Sequence, residues 1–139
     1  MAVSDALPRY SAKDLLNFLG CRHSTALDLQ VRARALGVPP EVVDEYQDLL
    51  KRKGDEHERR HLERLRAEGR SIREIARVDS IEEMAMATRE AMRQGVDVIY
   101  QGALVGLPWY GYSDFLMRVG RPSRLGDWSY EVTDTKLAR

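Results

Sequence analysis

A chain of 139 residues, 43% of them apolar and 32% charged, has room for one domain with a core of ordinary size. Lysine plus arginine number 22, and aspartate plus glutamate also number 22, so the net charge of zero says nothing for or against a nucleic-acid partner. The single cysteine, Cys21, excludes an internal disulfide framework and fits a reducing compartment. No basic leader followed by an apolar segment is visible, and no apolar run reaches membrane-spanning length. A cytoplasmic location is therefore expected.

The first half reads as helices. Ser11 with Asp14 caps a helix whose stripe is Leu15, Leu16, Phe18 and Leu19 and which Gly20 ends. Thr25 and Asp28 start a second helix, closed near Leu36 by Gly37, with Cys21 as a small buried side chain between the two. After Pro39-Pro40 a long helical pattern carries Val42, Val43, Tyr46, Leu49 and Leu50 on one side. Gly54 interrupts it, and His57, His61, Leu62 and Leu65 resume it as far as Gly69. Between Lys51 and Arg70 eight basic side chains outnumber five acidic ones, a mild bias that suits a solvated helix face with i,i+4 pairs. Ile72 to Val78 has weak strand character. Ser80 and Glu83 cap a helix through Arg93, ended by Gly95, with Met84, Thr88, Ala91 and Met92 towards the core.

From Val96 the period changes to alternation, which predicts a strand to Leu104, a turn at Gly106-Leu107-Pro108 and a returning strand from Trp109 to Val119. Gly120 to Asp127 is a loop, and Trp128 to Ala138 is the third strand. Helices followed by an antiparallel three-stranded meander make an α+β arrangement. Because the last strand runs to the terminus as an unpaired edge, the single domain over 1–139 is expected to be incomplete, helical over 1–95 and carrying its site strands over 96–139.

Asp134 and Lys136 on a strand share one face, roughly 6.5–7 Å apart at the backbone. A carboxylate there suits a hard divalent cation, and an ammonium suits an attacking hydroxide or the charge on a phosphate. Asp114 supplies a second carboxylate in the neighbouring strand, set among Tyr112, Phe115 and Leu116, where burial without a partner is costly. On spacing alone D-x-K is a weak motif, and a surface Asp134–Lys136 pair with Asp114 in solvent is the plainer reading. His57-Glu58-Arg59-Arg60-His61 matches the H-E-x-x-H of zinc proteases, which would make His57 and His61 ligands and Glu58 the base. The two intervening arginines and the missing glycine-and-histidine extension favour an ordinary charged helix instead. Trp109, Tyr110, Tyr112 and Trp128 are candidates to stack bases or simply to pack a sheet.

In order along the chain, Gly54-Asp55-Glu56-His57-Glu58, Gly111-Tyr112-Ser113-Asp114-Phe115-Leu116 and Tyr130-Glu131-Val132-Thr133-Asp134-Thr135-Lys136 resemble the RecB-like family of PD-(D/E)XK nucleases. The segments Asn17 to His23, Asp97 to Leu104 and Gly126 to Val132 extend that likeness over nearly the whole chain. The resemblance implies a restriction-endonuclease-like core and metal-dependent hydrolysis of DNA with Mg²⁺ or Mn²⁺, of exonuclease type, in DNA repair or processing. It implies DNA as partner, single- or double-stranded, with a helicase or second nuclease domain in the same protein. Asp114, Asp134 and the carbonyl of Thr135 would be metal ligands, with His57 as an additional one and Glu58 as a lesser candidate. Lys136 would act with Asp114 and Asp134 in catalysis. The family's later helix with its Q-x-x-x-Y motif is absent from this chain. An iron–sulfur cluster, held in some relatives by one early and three late cysteines, would need cysteines beyond Cys21 in a longer chain. Two other classes stand behind the nuclease: the zinc metalloprotease on His57 and His61, and a degenerate, non-catalytic nucleic-acid-binding module.

Overall fold

The computed structural model describes residues 9–136 apart from 35, 41 and 43. Expectations placed on the first eight residues, on Val43 and on Leu137 and Ala138 fall outside these. The fold is mixed α+β, with helices α1 (Ala12–Gly20), α2 (Arg22–Arg32), α3 (Glu45–Ala67) and α4 (Ile81–Gln94). The strands are β1 (Ile72–Glu74), β2 (Val98–Gly106), β3 (Trp109–Val119) and β4 (Ser129–Thr133). Two compact units form. One contains residues up to Asp44 together with Gly106–Gly111, and the other contains Glu45–Val105 and Tyr112 onwards.

The first unit holds α1 and α2. The Ser11 hydroxyl accepts from the Asp14 N–H, and the Asp14 carboxylate accepts from the Ser11 N–H, completing the expected capping box. The Asp14 carboxylate also pairs with Arg32 of α2. α2 begins earlier than expected because Cys21, not Thr25, is its cap, with Sγ accepting from the Ser24 N–H at 3.5 Å. Cys21 is exposed rather than buried, its thiol set against the first turn of α2 and not in a core. Neither helix buries a residue completely. Tyr10 pairs with the hairpin tip, its N–H donating to Pro108 O and its O accepting from the Tyr110 N–H, both at 2.9 Å. Its ring lies 5.7 Å from that of Trp109, and with Leu15, Phe18 and Leu29 the two line an apolar recess.

The second unit is a four-stranded sheet in the order β1-β2-β3-β4 with a helix against each face. The antiparallel meander foreseen for the last three strands gains a fourth, because Ile72–Glu74 pairs in parallel with Val98–Tyr100. A parallel neighbour needs a crossover, and α4 between β1 and β2 provides it. α3 runs straight through Gly54, which was expected to interrupt it. A lone glycine costs a helix only about 1 kcal/mol, and the flanking Lys, Arg and Glu residues favour helix. Leu62 and Leu65 of α3 are buried with Val98, Tyr100 and Phe115 on one sheet face. Met84 and Ala91 of α4 are buried with Ile75, Ile99, Ala103 and Leu116 on the other. The loop before β4 is pinned by Trp128, whose Nε1 donates to Met92 O at 2.9 Å, and by Tyr130, whose hydroxyl donates to Val96 O at 2.7 Å.

Thr88 ties α4 to the sheet. Its buried Oγ1 donates to Met84 O at 2.8 Å and accepts the Ala103 N–H at 3.0 Å. Thr88→Val keeps the shape but leaves a strand N–H without an acceptor, a loss worth about 1–3 kcal/mol. Urea denaturation is expected to show a cost in that range for Thr88→Val and a smaller one for Thr88→Ser, which keeps the hydroxyl.

Candidate active site

Glu58, Leu62 and Leu65 follow one another at i, i+4 and i+7, so they occupy one stripe of α3. Leu62 and Leu65 are buried against the sheet, and their anchoring lays the half-buried Glu58 on β2. There the side-chain amide of Gln101 donates to Glu58 Oε1. The Tyr100 hydroxyl also hydrogen bonds to Glu58; burial first, and that bond second, push its pKa up to about 12.

Asp114 lies in the middle of β3 between Ser113 and Phe115, both buried. The β3–β4 ladder pairs Phe115 with Thr133, and one further step of that register sets Asp114 opposite Asp134. The two carboxyls hydrogen bond to each other. Burial, then this bond, then the negative charges of Glu58 and Asp134 push the Asp114 pKa up to about 7. Its partner moves the other way. Asp134 is held below the usual carboxylate range by the bond to Asp114 and then by Lys136, with the Thr135 N–H helping. The proton of the pair therefore resides on Asp114, the more desolvated carboxyl. Lys136 is exposed and forms an ion pair with Asp134, whose hydrogen bond raises the ammonium pKa.

Asp114, Asp134 and Lys136 are thus brought together, with Glu58 as the third acidic group. Asp134-Thr135-Lys136 does not continue a strand, however. β4 ends at Thr133, and the three residues follow it without ladder pairing. Asp134 turns instead to Lys136, with which it forms an ion pair. His57 is half-buried on α3 next to Glu58, and among the described residues it forms no hydrogen bond, ion pair or ring contact. The His61 ring meets Phe115 edge-on, centroids 5.0 Å apart at 88°, which gives it a packing role.

Among the described residues no three His, Cys, Asp or Glu side chains are grouped so that they could hold a metal ion. The acids are drawn together around a proton instead. Their chemistry nonetheless suits a hard cation: the donors are all carboxylate oxygens, and Asp114 keeps a proton to about 7, where an ordinary aspartate releases it near 3.8.

Glu58 could have been ranked higher from sequence, because its i,i+4,i+7 register with two core leucines turns it inward. Gln101 had no such signal. Its backbone is left-handed, φ 57, in the middle of a strand, and its carbonyl oxygen Oε1 accepts from Arg77 at 3.0 Å. No family model, curated protein or solved structure matches this chain.

The raised Asp114 pKa has a definite sign. The folded chain keeps a proton that the unfolded chain releases, so the contribution is fully present below about 3.8 and is lost as pH rises through about 7. In urea titrations at pH 5 and pH 8, the wild-type midpoint is expected to fall with pH more steeply than that of Asp114→Asn, which cannot ionise. Equal slopes would remove the shared proton from the description of this site.

Proposed function

We propose that this chain is the metal-binding part of a metal-dependent nuclease of the RecB-like PD-(D/E)XK kind, hydrolysing DNA phosphodiester bonds with Mg²⁺ or Mn²⁺. One observation carries the reading: Asp114 in the middle of β3 and Asp134 just past the end of β4 face each other and share a proton, with Glu58 acting on Asp114 and Lys136 on Asp134. An ion pair kept only for the surface would leave Asp114 in solvent, whereas here it is half-buried and protonated near neutrality.

Asp114, Asp134 and Glu58 would hold the cation, with the Thr135 carbonyl and His57 as the further ligands that the resemblance implies. A bound divalent ion would supply Lewis acidity and a more acidic water. The chain's own groups do the rest. Tyr100 and Gln101 fix the orientation of Glu58 by donating to its carboxylate. Lys136 places a positive charge beside the carboxylates, where an attacking oxygen or a phosphate is stabilised by it. Asp114 would give up its proton when the cation binds. The setting we propose is DNA repair or processing, with a helicase or a second nuclease domain in the same protein. His61, packed on Phe115, serves the core in this reading and not a zinc site.

Cleavage of a labelled oligonucleotide with Mn²⁺ is expected to fall roughly a hundredfold or more in Asp134→Ala, the scale of losing a principal electrostatic contact, and to change little in His61→Ala. Full cleavage by Asp134→Ala would sink the assignment. Calorimetric Mn²⁺ titrations add a separate check. Because the shared proton must leave, affinity is expected to rise about tenfold per pH unit below about 7 and to level off above it.

A further inference from the structure

We propose that Arg77 is the phosphate anchor of this site, binding a backbone phosphate of the nucleic acid beside the carboxylate cluster; the proposal rests on the nuclease reading. A cluster of Glu58, Asp114 and Asp134 repels a polyanion, so a nuclease built on it needs a fixed cation at its edge. Arg77 is that cation. The Ile75 N–H donates to Tyr100 O at 3.0 Å, which keeps the chain beyond β1 alongside β2 as far as Arg77. Its guanidinium carbon lies 4.4 Å from the ring centroid of Tyr112. Tyr112 and Asp114 are i and i+2 on β3, so they share a face.

The guanidinium is held on two sides, by the tyrosine ring and by Gln101 Oε1 at 3.0 Å. The opposite end of the same amide donates to Glu58. Arg77, Gln101 and Glu58 therefore form one line from the cation to the acids. Several arginines of this unit have a carboxylate partner, Arg59 and Arg66 at Glu74, Arg60 at Glu56, Arg118 at Asp97 and Arg121 at Glu131. Arg64, Arg73 and Arg89, like Arg77, have none among the described residues. What sets Arg77 apart is its link through Gln101 to Glu58. Stacking occupies one face of its plane and leaves N–H groups at the edge for phosphate oxygens. Gln101 adds a further sign of purpose. A non-glycine residue held at φ 57 in a strand is strained, and its side chain is what joins Arg77 to Glu58.

Fluorescence anisotropy of a labelled single-stranded oligonucleotide, measured in EDTA so that metal binding plays no part, tests the proposal. Arg77→Gln is expected to weaken binding roughly tenfold, as for loss of a charged hydrogen bond, and to lower the salt slope by about one phosphate contact. Gln101→Gly is expected to weaken binding while melting no lower than wild type, since glycine accepts this backbone and only the clamp is lost. Arg73→Gln, which removes an exposed charge on β1 that hydrogen bonds to Gln94, is the control and should leave the slope unchanged. Wild-type affinity and slope in Arg77→Gln, a loss no larger than that of Arg73→Gln, or no oligonucleotide binding at all would overturn it. Failure of the nuclease reading looks different: Asp134→Ala would keep cleaving.

Discussion

The ladder between β3 and β4 runs from Val119 and Ser129 to Phe115 and Thr133, and at its next step two aspartates meet. Like charges opposed across strands push the strands apart unless something positive lies between them. Here a proton does so, kept on Asp114 to about pH 7 by burial and by its partner. The arrangement at this end of the sheet follows from that constraint. Asp134 turns to Lys136, and the third acid is satisfied by neutral donors, the Tyr100 hydroxyl and the Gln101 amide.

Such a cluster survives because the surrounding packing over-determines it. Phe115, beside Asp114, is fully buried and touches both Tyr100 and His61. On the same helix as His61, Leu62 and Leu65 press Glu58 into place. The hydrophobic layer under α3 thus holds on the sheet the helix that carries Glu58. Thr88 and the core beneath α4 hold the opposite face, so the strands that carry the acids are fixed from both sides.

Much of this was legible in the residues. The caps at Ser11 and Ser80, the hairpin at Leu107-Pro108 and the span of β3 are written in local chemistry, and the structure has them where that chemistry puts them. Asp114, Asp134 and Lys136 were identifiable as a group, and the fold does bring them together. What local pattern does not carry is pairing. β1 is three residues long, and only its parallel partner β2 makes it a strand. Gly54 reads as a break until the neighbouring turns of α3 are seen to outweigh it. The contact between Asp114 and Asp134 joins residues 20 apart in sequence, which neither segment reveals alone. Cys21 was misjudged because a thiol reads as a core residue, whereas its position between two helices uses it as a cap.

The two tryptophans are distributed so that each compact unit holds one, Trp109 against Tyr10 at the hairpin tip and Trp128 over Gly95 behind α4. Indole emission depends on local solvent and neighbours, so the chain carries two native optical reporters at separate addresses. Replacing either by phenylalanine leaves a single emitter. The remaining signal then tells whether the helical unit, whose two helices bury no residue completely, melts on its own or together with the sheet that carries Asp114.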